Sequence, residues 1–273
     1  MIKIEFRRSA LPMSARPARR SVQPLTYAAV AICGVVLMAA LLYWGVLHTR
    51  PATAQDYPIQ GFDVSHHQQQ IDWHRISPEK YRFVYLKATE GGDFKDRKFQ
   101  DNWLAAHEQG FLVGAYHFYR LCRDGQVQAQ NFIDSVPKQA NSLPPVIDLE
   151  YDSNCINTYT REQLLHEIGV MHDALQQHYG KQPIFYISKN FYNIVLVNQF
   201  PQVPLWVREY QGKPALSGNP DWLFWQYSNR GQITGIATPV DLNAFYGDEQ
   251  DWQQFLKANQ IVEPSKNSVD TTP

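Results

Sequence analysis

Pro144-Pro145-Val146-Ile147-Asp148-Leu149-Glu150-Tyr151 reads as one short strand introduced by a proline pair. Side chains alternate along a strand, so Val146, Asp148 and Glu150 share one face while Ile147 and Leu149 take the other. Runs of the same kind, β-branched or aromatic and bounded by Gly, Pro, Asp or Asn, recur at Ile59–Ser65, Phe83–Glu90, Leu112–Tyr119, Pro183–Ser188, Leu205–Tyr210, Leu223–Tyr227 and Val240–Phe245. Helical patterns fill the early gaps. In 94–110, Phe99, Trp103 and Ala106 fall on one stripe that Gly110 closes. In 160–180, Thr160 and Gln163 form a capping box, Leu164, Ile168, Met171 and Leu175 make the stripe, and Gly180 is the stop. The later gaps are short or proline-containing. Strands alternating with helices predict a parallel sheet, here an α/β barrel whose last third has lost most of its helices. An open doubly wound sheet is the alternative, without a GxGxxG or P-loop sequence to support it.

Composition narrows the class. The 273 residues are 44% hydrophobic and 19% charged, which excludes a disordered chain, a collagen and a coiled coil. Charge is uneven: residues 1–55 hold seven Lys/Arg and one acid, leaving 56–273 with 18 basic and 25 acidic residues, a net of −7. An acidic globular part argues against nucleic acid as a partner.

Ser21 to Leu47 contains no charge, six Lys/Arg precede it, and only Arg50 follows closely. About 20 apolar residues span a bilayer as a helix. The expected layout is a basic cytoplasmic tail (1–25), a transmembrane helix or signal anchor (26–47) through which the chain contacts the lipid bilayer, a linker (48–57), the main domain (58–257) and a polar, frayed tail (258–273). The positive-inside rule puts the main domain outside the cytoplasm. Cleavage at Ala52-Thr53-Ala54 is the rival reading, and it exports the same domain. In that oxidising compartment Cys122 and Cys155 are expected to pair; two buried thiols are the alternative, and Cys33 lies in the apolar span.

Active sites of such barrels sit at the C-terminal ends of the strands. Those ends supply Asp63, Glu90, Tyr116, His117, Asp148, Glu150, Tyr186, Gln226, Tyr227 and Asp241. Two acids on one inward face cannot both ionise cheaply. One protonated and one ionised carboxyl is the pairing that glycosidic cleavage requires. The competing reading makes the acids structural, bonded to backbone amides, Lys87 or Arg208. Aromatic residues on the same runs, Phe118 and Trp206 among them, suit sugar faces, although most such rings belong to the core. His66, His67 and His117 with Asp63, Asp148 and Asp241 offer a second chemistry, a metal-dependent deacetylase or amidase, but without HExxH-type spacing. No GxSxG sequence occurs.

GFDVSHHQ followed by IDW, FVYLKATEG, GAYHFYR, PPVIDLE, WQYS and VDLNAF, in this order from Ile59 to Phe245, resemble the glycoside hydrolase family 25 muramidases, the Chalaropsis-type lysozymes. The resemblance implies a modified TIM-like (β/α)5β3 barrel. It also implies cleavage of the β-1,4 bond between N-acetylmuramic acid and N-acetylglucosamine in peptidoglycan, with no cofactor. By motif, Glu150 matches the general acid, Asp148 its partner, and Asp63 and Asp241 the two further acids. Tyr116 and Tyr186 would hold the sugar. The strand-end positions and aromatic runs themselves add Glu90, His117, Phe118, Trp206, Gln226 and Tyr227 as expected substrate contacts. Both a substrate-assisted retaining route and an inverting one fit these residues. A wall-binding module without catalysis, or the metal-dependent enzyme, is the alternative function.

Overall fold

The structure is a computed structural model that describes residues 32–40, 53–151 and 155–264. The chain divides into two compact units, Met1–Arg50 and Pro51–Pro273. In the first, 32–40 is helical with exposed apolar side chains such as Val35 and Met38. The rest of the expected span, 26–31 and 41–47, lies outside the described residues. Among the described residues no helix is long and apolar enough to cross a membrane.

In the second unit the strands are β1 (Gln60–Val64), β2 (Phe83–Glu90), β3 (Phe94–Lys95), β4 (Leu112–Phe118), β5 (Val146–Leu149), β6 (Ile184–Ser188), β7 (Leu205–Arg208), β8 (Phe224–Gly231) and β9 (Val240–Phe245). They run in the order β1-β9-β8-β7-β6-β5-β4-β2, and a β1–β2 pairing closes the ring into an eight-stranded barrel; β3 is a short addition on β2. Helices α1 (Phe99–Glu108), α2 (Gly125–Ile133) and α3 (Arg161–Tyr179) follow β2, β4 and β5. After β6 there is only a short helical turn, Lys189–Phe191 continuing into Tyr192–Leu196. The expected α3 caps are present: Thr160 Oγ1 accepts from Gln163 N, and Gly180 takes φ +69°.

Alternation along the strands sorts the core into two layers. Val84, Leu86, Val113, Ile147, Leu149, Ile187 and Val207 face the helices. Phe83, Tyr85, Leu112, Val146, Ile184, Trp206, Phe224 and Phe245 fill the barrel interior. Two glycines make that filling fit. A Cβ on Gly61 would lie 2.5 Å from the Phe83 ring, and one on Gly114 2.2 Å from that of Tyr85. Helix α4 (Glu249–Ala258) closes the base through Trp252 and Leu256.

The structure departs from the sequence reading in three ways. The barrel is not wholly parallel: β9 runs antiparallel to both β8 and β1. Residues 232–239 connect β8 to β9. That is too short for a parallel crossover, which takes a dozen residues or more, so the connection folds as a hairpin. Helix α2 went unread because its buried face carries Gln128 and Asn131 beside Ala129 and Phe132, which breaks the apolar stripe. Part of the expected frayed tail is packed. Ile261 is buried under the barrel, and Glu263 accepts from Arg82 Nε (3.0 Å) and Trp252 Nε1 (3.3 Å). Residues 265–273 lie outside the described residues. Cys122 and Cys155 form a disulfide, with Cα atoms 5.6 Å apart.

Candidate active site

Reversal of β9 has a direct consequence for the chemistry. Its N-terminal end, carrying Asp241, comes to the mouth where the parallel strands end, and Asp241 pairs in register with Asp63 on β1. Asp63, Tyr116, Val146, Asp148, Glu150, Tyr186, Trp206, Gln226 and Asp241 line one open cleft holding about 350 Å³ of space. The inner faces of all the barrel strands except β2 deliver these side chains, above the ring-filled lower half of the barrel.

A hydrogen-bond chain fixes one wall. Gln226 Nε2 donates to Asp63 Oδ2 (2.9 Å), and Asn243 Nδ2 donates to the same oxygen (2.8 Å). Trp206 Nε1 donates to Asn243 Oδ1 (2.9 Å). The hydroxyls of Tyr186 and Tyr210 both donate to Gln226 Oε1, at 2.9 and 2.8 Å. With those protons committed, both phenol oxygens keep lone pairs for a donor on the ligand. On the other wall, Arg208 Nη1 at the end of β7 lies 2.6 Å from Glu150 Oε2.

Burial dominates the acids. It pushes the Asp148 carboxyl well above the usual carboxylate range, and the neighbouring Glu150 pushes it further. Asp63 is raised in the same way, by burial and then by Asp241, against the lowering effect of its two amide donors. Burial lifts Asp241 from 3.8 to about 6, with Arg208 opposing. Because the folded state holds the Asp241 proton more tightly than the unfolded chain does, stability falls as pH rises from about 4 to about 6, and the loss is complete above that. Asp241→Asn is therefore expected to stabilise the fold at pH 7.5 by up to about 3 kcal/mol, several degrees in Tm, and to change little at pH 3.5. Thermal melts at both pH values check this; equal shifts at both would contradict it.

Other expected contacts lie elsewhere. His117 and Tyr227 neighbour the cleft residues Tyr116 and Gln226, and alternation turns them to the outside of the barrel. His117 is fully buried there between Thr89 Oγ1 (2.7 Å) and Gln128 Oε1 (3.1 Å), and burial lowers its imidazole to about 4. The Tyr227 hydroxyl donates to Gln60 Oε1 (2.7 Å). Glu90 and Phe118 stand outside the lining, at the strand ends: Glu90 pairs with Lys87 (2.8 Å) and Arg120 (3.4 Å), and Lys87 Nζ sits 5.0 Å from the Phe118 ring centre. His66 Nδ1 is 2.8 Å from Asp96 Oδ2, so neither it nor His117 joins the acids in the cleft, and among the described residues no cluster could hold a metal ion. Asn243 and Tyr210 went unread. Asn243 was legible as the residue two beyond Asp241 and so on its face; Tyr210 follows β7 in an irregular segment where no periodicity applies.

A closed α/β barrel gathering four carboxylates and tyrosine hydroxyls at one mouth is the arrangement of a glycoside hydrolase. The chain belongs to the family described as "Glycosyl hydrolases family 25", whose sequence profile matches residues 62–236. It is 34% identical over 205 residues to the uncharacterized protein YegX of Escherichia coli K12, covering 73% of this chain and 74% of that one. It is 31% identical to Lysozyme M1 of Streptomyces globisporus, covering 69% and 68%. The structure of a family 25 glycosyl hydrolase from Bacillus anthracis superposes with a TM-score of 0.70 at 39% identity, covering 76% of this chain and 97% of that one.

Proposed function

We propose that this chain is an exported muramidase that cleaves the β-1,4 bond between N-acetylmuramic acid and N-acetylglucosamine in peptidoglycan. The observation that carries the reading is the placement of Asp148 and Glu150 two residues apart on the inner face of the barrel, in one cleft with Asp63 and Asp241. Glu150 gives its proton to the bridging oxygen as the glycosidic bond breaks and the acetamido oxygen of the same sugar bonds to its anomeric carbon; water then attacks that carbon, gives a proton to Glu150 and frees the acetamido group. Asp148, ionised at that moment, accepts from the acetamido N–H of the reacting sugar. Asp63, held by Gln226 and Asn243, shapes the pocket with Asp241. The helices after β2, β4 and β5, the short helical turns after β1 and β6, and the bare connections late in the chain support the finer description of a (β/α)5β3 barrel. Residues 26–47 anchor the enzyme in the membrane with the catalytic domain on the outer side; the basic residues before this apolar run support that orientation.

None of these steps uses a metal. Hydrolysis of purified peptidoglycan, followed by the release of reducing ends, is expected to proceed at an unchanged rate after exhaustive treatment with EDTA. A loss of activity that zinc restores would replace this reading with the metal-dependent deacetylase or amidase.

A further inference from the structure

A general acid must carry a proton, yet Glu150 has a guanidinium against it. Arg208 Nη1 is 2.6 Å from Glu150 Oε2, with side chains 27% and 11% exposed. An opposite charge at that distance in a half-dry cleft favours the ionised carboxylate. The other charged and titratable groups around the pair come from every neighbouring strand: Asp148 on β5 itself, Tyr186 on β6, Tyr210 beyond β7, Asp63 on β1, Asp241 on β9, Tyr116 on β4, and Lys87 on β2, whose field reaches Asp148. Both acids are buried, and Asp148 Oδ1 has no hydrogen-bond partner among the described residues.

From this geometry we infer that Arg208 is a positioning residue that keeps Glu150 ionised in the free enzyme, so that the single proton of the pair rests on Asp148 until the sugar arrives. The inference rests on Glu150 being the acid. When the acetamido N–H of the substrate approaches Asp148, the O–H bond there breaks and the same proton forms an O–H bond on Glu150, as the contact with Arg208 yields. No proton enters or leaves the cleft. The elevated proton affinity of Asp148 agrees with this resting state. The arrangement also explains how two carboxylates of one strand take different roles: the cation on β7 marks one of them as the ionised member before substrate binds.

The test is the pH dependence of kcat/KM on purified peptidoglycan for the full chain, Arg208→Met and Arg208→Lys. The alkaline limb reports loss of the proton shared by the pair. Arg208→Met is expected to move that limb upward by about one pH unit or more, the scale on which an adjacent charge acts, and Arg208→Lys to leave it near that of the unmodified chain. A limb unmoved in Arg208→Met, or moved equally in both variants, would overturn the inference even if both lose rate. A second readout does not depend on activity: in protein labelled with ¹³C at Glu carboxyls, the Glu150 signal, identified by its absence in Glu150→Gln, is expected to titrate at a lower pH in the unmodified chain than in Arg208→Met. The same midpoint in both, or a higher one in the unmodified chain, would overturn the inference. An unmodified chain that releases no fragments would instead sink the muramidase reading, leaving the carboxyl titration to decide the role of Arg208 by itself.

Discussion

Replacing Glu150 by Gln is expected to lower the rate of glycan cleavage by about 10²- to 10⁴-fold, the range over which a positioned general acid contributes. The substitution keeps the shape of the side chain but leaves a neutral amide that can neither ionise nor hand a proton to the leaving oxygen. Glu150 lies at the end of β5 beside Asp148, whose ionisation it opposes. Removing that charge relieves repulsion within the acid cluster while giving up the contact with Arg208. The fold is therefore expected to survive, with Tm equal to or above that of the unmodified chain. Initial rates of reducing-end release, measured beside a thermal melt, separate the two effects. A Glu150→Gln variant that cleaves at the original rate would show that the acid is another residue of the cleft.

Removing the disulfide should produce the largest loss of stability. Cys122 and Cys155 are 33 residues apart, and they tie the segment after β4 to the one that follows Glu150. In the chain-entropy model a loop of that length is worth about 3–4 kcal/mol. For a domain of this size that corresponds to a fall in Tm of about 6–16 °C in the Cys122→Ser/Cys155→Ser double variant. The same crosslink lies five residues beyond Glu150 in the chain, so kcat is expected to fall as well, before the domain unfolds. Other contacts brace this region: Gly125 N donates to Glu167 Oε2 (2.7 Å) and the Tyr159 hydroxyl to Asp124 Oδ1 (2.8 Å). A Tm within about 2 °C of the original would mean that these contacts alone hold the segment, and that the disulfide contributes far less than loop closure predicts.

Much of this architecture was legible because a closed barrel obeys one local rule, the alternation of faces. That rule placed Asp148 and Glu150 together and set Ile147 and Leu149 against the helices. Applied strictly, it also separates Tyr116 from His117 and Gln226 from Tyr227, since adjacent residues of a strand cannot enter the same cleft. Where reading failed, the cause was long-range. Nothing local marks β9 as antiparallel; the signal was the short connection 232–239, which forbids a crossover. Helix α2 hides its core face behind Gln128 and Asn131, whose side chains bond backbone carbonyls and His117 instead of facing water. The base of the barrel is sealed by Trp252, Leu256 and Ile261, residues far along the chain whose partners are set only once the ring has closed. Arg208 was legible as a candidate partner of the acids; that it meets Glu150 depends on β7 and β5 flanking β6.

The most direct test of the central claim is mass spectrometry of the fragments that the full chain releases from purified peptidoglycan. The account predicts disaccharide–peptide fragments carrying N-acetylmuramic acid at the reducing end. Fragments with N-acetylglucosamine at the reducing end, or intact glycan strands with no release at all, would contradict it.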